Sequence, residues 1–324
     1  MVGVVEVVAD GPDMKRRPQG NGSRHLPRPT VIMSIIGKLL GLRAVIVRPA
    51  SAEQNLRIGR SHRPSARLVW PRDAAMERHG DRYPPLMPAV EPRWIWTFLD
   101  TPHAGAIQAW RFWASMTRTE VDEPRGAHGE FSTLLPAAGD PWVKLQAIGD
   151  EHPRMHLDID VEDTDEAVER LASTGAERLA SFDSVRVLRS PAGMVLCLTS
   201  WNAAGRASQQ VREVSPLLDE VCLRVPARSW DVEVEFWQQL LARSAEPTGD
   251  DRLILSHDRW PVQVLLQRND STEASAAAHP HVRAADRAQE EARHVALGAT
   301  VLTRGPRHTA MLAPDATRYC LLPG

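Results

Sequence analysis

The stretch that decides the fold is 155-MHLDIDVEDTDEAVERLASTGAERL-179. Residues 155–161 alternate apolar and polar side chains, the two-residue period of a β-strand. Asp163, with Glu166 three positions on, has the spacing of a capping box and predicts the start of a helix. Val168 and Leu171 supply that helix with an inner face, while Glu166 and Arg170 are spaced as an i,i+4 pair. Gly175 is placed to end it in a left-handed turn. Two strand-like runs follow, 185-VRVLRSP-191 and 194-MVLCLTS-200, joined by Pro-Ala-Gly. His156 opens this unit, as a ligand in a site or as an ordinary strand residue.

Upstream the same grammar is found. The run 94-WIWTFLDTP-102 reads as a strand closed by Asp-Thr-Pro. Next, 104-AGAIQAWRFWASMTR-118 places Ile107, Trp110, Trp113 and Ala114 on one helical face. Shorter strands are predicted at 130-EFSTLLP-136 and 142-WVKLQAI-148.

Downstream it recurs at a fixed offset. A shift of 123 pairs His156 with His279, Asp163 with Asp286, Arg170 with Arg293, and Gly175-Ala176 with Gly298-Ala299. It also pairs Pro191 with Pro314 and Cys197-Leu198 with Cys320-Leu321. A shift of 124 pairs Pro102 with Pro226 and Phe112-Trp113 with Phe236-Trp237. The chain therefore reads as two copies of a domain of roughly 110 residues, each made of two strand-helix-strands units. The expected division is a leader at 1–92, domain 1 at 93–201, a linker at 202–216 (NAAGRASQQVREVSP) and domain 2 at 217–324.

Composition narrows the function classes. The net charge of -2 gives no reason to expect nucleic acid or an anionic membrane as partner. It conceals an asymmetry: residues 1–92 carry 15 Lys/Arg against 8 Asp/Glu, and the remainder 24 against 33. The basic, Pro-rich head lacks a sustained period and is expected to be poorly ordered, with Met87 as an alternative start. Within it, 31-VIMSIIGKLLGLRAVIVRP-49 is interrupted by Lys38 and Arg43 and is a poor membrane span. An amphipathic surface helix and a loosely packed leader segment are its two readings. Three cysteines, Cys197, Cys222 and Cys320, are too few for a disulfide framework and suit a reducing cytoplasm. No nucleophile elbow, dinucleotide fingerprint, P-loop or H-E-x-x-H motif occurs.

The segments 156-HLDIDVEDTDEAVERLASTGAERL-179 and 190-SPAGMVLCL-198, with the Phe-Trp of the preceding helix and 130-EFSTLLP-136, resemble the vicinal oxygen chelate superfamily. The likeness is closest to its glyoxalase-like domains. It covers 93–201 well and 217–323 more weakly. It implies an α+β fold of paired βαβββ modules, whose curved mixed sheet encloses a cavity, with two such domains in tandem.

The superfamily draws metal ligands, where present, from the first and last strands of each module. The resemblance therefore implies Arg93 or Trp94, Gln146, His156 and Cys197 in domain 1. In domain 2 it implies Leu218 or a neighbour, Gln267, His279 and Cys320. Such a divalent-metal site mixes His with a carboxylate, which lets the cation polarise a substrate oxygen. Here the usual last-strand Glu is Cys197 or Cys320, which argues against lactoylglutathione lyase activity.

Each site residue keeps a bland alternative. His156 is a metal ligand or catalytic group, or a hydrogen-bonded strand residue without a carboxylate partner. Gln146 orients a ligand carbonyl or faces solvent, and Cys197 is a ligand or a small buried hydrophobe. Trp94 and Trp142 are pocket candidates, whereas Trp110 and Trp113 sit at core spacing. His279, His281 and His294 make a trio whose spacing is read as coincidence.

Two functions are expected from the resemblance. One is a metal-assisted lyase, isomerase or dioxygenase using His156 and Gln146. The other is a non-catalytic, sequestering small-molecule binder with domain 2 as a structural partner. A small-molecule ligand is the expected partner, a homodimer is compatible with either, and a divalent metal is the only cofactor implied.

Overall fold

The structure, a computed structural model, describes residues 90–202, 217–270 and 275–324. The leader through residue 89, including the 31–49 segment and Met87, lies outside the described residues, as does the linker from 203 to 216.

Domain 1 starts with β1 (Trp94–Pro102), α1 (Ala106–Thr117), β2 (Glu120–Val121), β3 (Phe131–Leu135) and β4 (Val143–Ile148). Its second module repeats the plan as β5 (Arg154–Val161), α2 (Thr164–Leu171), β6 (Glu177–Phe182), β7 (Val185–Arg189) and β8 (Val195–Ser200). The eight strands form one sheet in the order β2-β3-β4-β1-β5-β8-β7-β6. Within each module the first strand runs parallel to the last, β1 with β4 and β5 with β8. The modules join edge to edge through the antiparallel pair β1–β5.

Domain 2 repeats the topology. It comprises β9 (Leu217–Pro226), α3 (Trp230–Leu241), β10 (Glu246–Gly249), β11 (Arg252–Leu255) and β12 (Gln263–Asn269), then β13 (Ala277–Ala284), α4 (Arg287–Ala296), β14 (Thr300–Arg304), β15 (Thr309–Leu312) and β16 (Arg318–Pro323). The strand order is β10-β11-β12-β9-β13-β16-β15-β14. Both domains are thus α+β, with two βαβββ modules apiece.

Local signals explain the elements. Asp163 accepts hydrogen bonds from the backbone N–H groups of Asp165 and Glu166 at 2.9 and 3.0 Å, and Asp286 caps α4 through Gln289 N–H at 3.0 Å. The reciprocal half of the capping box is not among the bonds at Glu166, whose carboxylate is engaged by Arg170 one turn on. Gly175 ends this helical segment at φ +84°, a conformation that favours glycine. The predicted face of α1 is corrected at one position: Ile107 is 66% exposed, and the buried stripe runs through Ala106, Ala109, Trp110, Trp113 and Met116. Ile107 lies one residue, about 100° of helix rotation, away from Ala106.

The central strands β1 and β5 of domain 1 have two buried faces, so alternation there sorts apolar from polar rather than core from solvent. On β1, Ile95 and Leu99 belong to the large core, while Trp94, Trp96 and Phe98 form a separate aromatic cluster with Phe131, Trp142 and Trp201. The large core also takes in α1 and α3 and the corresponding face of the domain 2 sheet. Fully buried Trp113 and Trp237 anchor it, each side chain contributing on the order of 2–3 kcal/mol by leaving water.

The domains grip one another reciprocally. Glu233 of α3 accepts from Ser190 Oγ and Ala192 N–H, both at 2.7 Å, in the turn between β7 and β8. In the opposite sense, Trp113 Nε1 of α1 donates to Asp315 Oδ2 at 3.4 Å, in the turn between β15 and β16. Each domain's first helix therefore holds the last hairpin of the other.

Candidate functional site

The polar face of the domain 1 sheet gathers at the seam between its modules. Antiparallel pairing sets Phe98 opposite His156 and Trp96 opposite Asp158. Parallel pairing sets Asp100 beside Gln146, and Asp158 beside Cys197. Because strand side chains alternate, His156, Asp158 and Asp160 all point to this one face.

His156 is the hub. Its Nδ1 lies 2.9 Å from Asp100 Oδ2, and its Nε2 lies 3.4 Å from Asp158 Oδ1. Its ring stacks on Phe98 with centroids 4.5 Å apart. Burial alone would push the imidazole pKa down, but Asp100 and Asp158 outweigh it and raise it to about 10. The group is therefore an imidazolium held between two carboxylates. The expectation that His156 lacks a carboxylate partner is overturned: the acids stand on β1 and two residues along β5, not on the last strand.

The surroundings are aromatic and rich in acceptors. Lys144 Nζ lies 4.1 Å from the Trp96 ring centroid and 5.1 Å from that of Phe98. Asp160 accepts from Trp96 Nε1 at 3.1 Å and from Thr199 Oγ1. Asp100 Oδ1 and Gln146 Oε1 are buried acceptors with no hydrogen-bond donor among the described residues. Burial pushes the Cys197 thiol well up, with Asp158 and Asp100 adding to it, so in this setting it is a protonated thiol.

Of the residues singled out from sequence, His156 and Cys197 come together, and Asp158 completes a group whose ligand atoms lie within 4.8 Å of one another. Gln146 is buried on the same face, not solvent-facing, one strand beyond Asp100. Trp94 sits in the aromatic cluster. Trp142 packs beside it while its Nε1 donates to Leu218 O of domain 2 at 2.7 Å. Asp100 and Asp158 went unrecognised, although the alternation that predicted β5 also puts Asp158 beside His156.

In domain 2 the same sheet positions carry other chemistry. Cys222 stands opposite His279, as Phe98 does opposite His156, and Glu220 stands opposite His281, as Trp96 does opposite Asp158. Gln267 accepts from the Cys222 thiol at 3.5 Å, and Cys320 pairs with His281 on the neighbouring strand. His279 and His281 meet at 3.1 Å between their Nε2 atoms. His294 is elsewhere, with Nδ1 3.1 Å from the Tyr319 hydroxyl, so reading the trio as coincidence holds for His294 alone.

The donor sets can be tested against the divalent ion that the fold family implies. In domain 1 an imidazole, a carboxylate, a thiol and the undonated Gln146 oxygen suit one chemically, provided His156 surrenders the proton between its carboxylates. Domain 2 offers two imidazoles and a thiol, a softer set.

The model of the glyoxalase-like domain matches residues 96–199 and again 220–322. The chain belongs to the glyoxalase-like domain family. Among curated proteins no sequence matches significantly. Solved structures share the fold at low identity. The Mn(II)-bound glyoxalase from Novosphingobium aromaticivorans aligns at 15% identity and TM-score 0.52, over 74% of this chain and 83% of that one. A single-residue variant of homoprotocatechuate 2,3-dioxygenase from B. fuscum aligns at 13% and 0.50, over 74% and 73%. A xylose isomerase-like TIM barrel/4-hydroxyphenylpyruvate dioxygenase fusion protein aligns at 15% and 0.50, and this glyoxalase-like chain spans 50% of its length. These likenesses establish a vicinal oxygen chelate fold in two tandem domains. Among the described residues no helix is long and apolar enough to cross a membrane.

Proposed function

We propose that domain 1 is a small-molecule-binding domain whose ligand is a planar compound bearing hydroxyl or amino donors. The observation that carries this reading is the state of His156: both ring nitrogens already face carboxylates, leaving Asp100 Oδ1 and Gln146 Oε1 as the acceptors in need of donors. Trp94 and Trp96 supply the apolar wall such a ligand would pack against, beside the Phe98 ring that is already stacked on His156. His156 would then act as a fixed centre that holds both acids in place and aimed.

The 4.8 Å grouping of His156, Asp158 and Cys197 favours a second reading, metal-assisted lyase or dioxygenase chemistry. His156 Nε2, an Asp158 oxygen, Cys197 Sγ and Gln146 Oε1 would hold the ion, which when bound would act as a Lewis acid on a substrate oxygen. Asp100 Oδ1 would then orient the substrate.

Tryptophan fluorescence titration with catechol, a planar donor probe, separates the readings. Saturable quenching that survives EDTA and is lost in Gln146→Leu supports metal-free binding. Quenching that EDTA abolishes, together with metal that co-purifies with the wild type but not with His156→Ala, would establish the second reading. No saturable quenching under either condition defeats the proposed ligand class.

A further inference from the structure

We infer that domain 2 contains a site of its own for a borderline divalent ion of the zinc type, built from Cys222, His279 and His281. This goes beyond the small-molecule reading of domain 1 and does not depend on it. Three observations carry it.

The first is convergence. The ligand atoms of Cys222, His279 and His281 lie within 4.8 Å of one another, and the two Nε2 atoms are 3.1 Å apart. Nitrogens bound at ~2.1 Å to a tetrahedral zinc ion stand roughly 3.4 Å apart, so the pair needs little movement to bracket one.

The second is orientation. His281 Nδ1 lies 2.5 Å from Glu220 Oε1, which favours the tautomer with the proton on Nδ1 and leaves Nε2 as the ligand atom. Arg283 Nη2 holds the other Glu220 oxygen at 2.8 Å, and Arg283 Nε reaches both oxygens of Asp219 at 3.1 Å. A carboxylate fixed behind a histidine in this manner is the arrangement that sets tautomer and ring angle at metal sites. His279 has no such acid among the described residues, and its Nε2 is aimed at that of His281.

The third is the contrast with domain 1. Where Phe98 covers His156, domain 2 places the Cys222 thiol, and where Asp158 clamps His156, it places His281. A thiol and an imidazole thus stand where domain 1 has the ring stacked on His156 and one of its two carboxylates, and Arg224 stands where domain 1 has Asp100. Cys222 is buried, whereas His279, Gln267 and Cys320 are partly exposed, so an ion has a way in and a fourth position beside Gln267. Two imidazoles and a thiol select zinc or cobalt over manganese or magnesium.

Cobalt(II) titration of the full chain, after EDTA treatment and removal of the chelator, tests this directly. The expected result is one tightly bound ion with a sulfur-to-cobalt charge-transfer band in the near ultraviolet, displaced by zinc. The band should persist in His156→Ala/Cys197→Ser, vanish in Cys222→Ser, and need at least about tenfold more cobalt in Glu220→Gln. A wild type without the band, a band surviving in Cys222→Ser, or one lost with Cys197→Ser alone would overturn the assignment. Should Cys222→Ser fail to fold, thermal unfolding decides: zinc must raise the midpoint of the His156→Ala/Cys197→Ser protein and leave that of His279→Ala unmoved.

Discussion

Asp100 Oδ2 and His156 Nδ1 meet at 2.9 Å across the junction of two modules, one residue from each first strand. The bond is both the centre of the candidate site and a tie between the halves of domain 1. Its strength is therefore measurable as stability.

His156 has a folded pKa near 10 against an ordinary 6.5. Below about pH 6.5 folded and unfolded chains both hold the proton, and its stabilising effect is fully present. Between the two values only the folded chain holds it, so stability falls by about 1.4 kcal/mol per pH unit as pH rises towards 10. Urea unfolding across about pH 7 to 9 should show this slope in the wild type and a shallower one in His156→Gln. Parallel pH dependence in the two proteins would refute it.

Removing one acid leaves a buried cation short of a partner. Asp100→Ala is expected to cost about 3–5 kcal/mol, the usual penalty for breaking a buried ion pair from one side. The double variant Asp100→Ala/His156→Leu should recover part of that loss. Equal losses in the single and double variants would show that the charge is not the cause.

Glu233 is a buried acceptor for three donors: Ser190 Oγ, Ala192 N–H and Trp237 Nε1 at 2.8 Å. Glu233→Ala strands all three and should lower stability by about 3 kcal/mol, with Glu233→Gln losing less. Thermal unfolding reports the difference, and an unchanged midpoint in Glu233→Ala would remove this contact from the account of domain pairing.

Two glycines with positive φ separate strain from space. At Gly175 (φ +84°) an added methyl would find Pro191 Cγ at 3.8 Å, whereas at Gly193 (φ +91°) it would meet Ser275 Cβ and Oγ at 3.0 Å. Gly175→Ala is expected to cost about 1 kcal/mol from backbone conformation alone. Gly193→Ala should cost more, because Ser275 must also move, and denaturant midpoints will rank the two. The reverse order would contradict the contact.

Much of the fold was legible because each module announces itself locally. Asp163 caps, Gly175 stops, and the offset linking His156 to His279 exposes the duplication. The site was less legible, and for a physical reason. Reading MHLDIDV as alternation invites the inference that its polar residues face water. In a sheet covered on both sides they instead face a second buried surface, where Asp158 meets His156. Asp100 could not be assigned from the chain alone, since its nearness to His156 depends on pairing across a separation of 56 residues. Likewise, His279 and His281 share a face by simple alternation, but Cys222 joins them only through β9–β13 register.

The reciprocal grip of helix on hairpin has a mechanical corollary. The turn held by Glu233 leads directly into β8, the strand that carries Cys197, and the turn held by Trp113 leads into β16, which carries Cys320. Each domain is thus the jig in which its neighbour's last strand is set, and a domain cut free of its twin would lose the stop that fixes the height of its own thiol in the sheet.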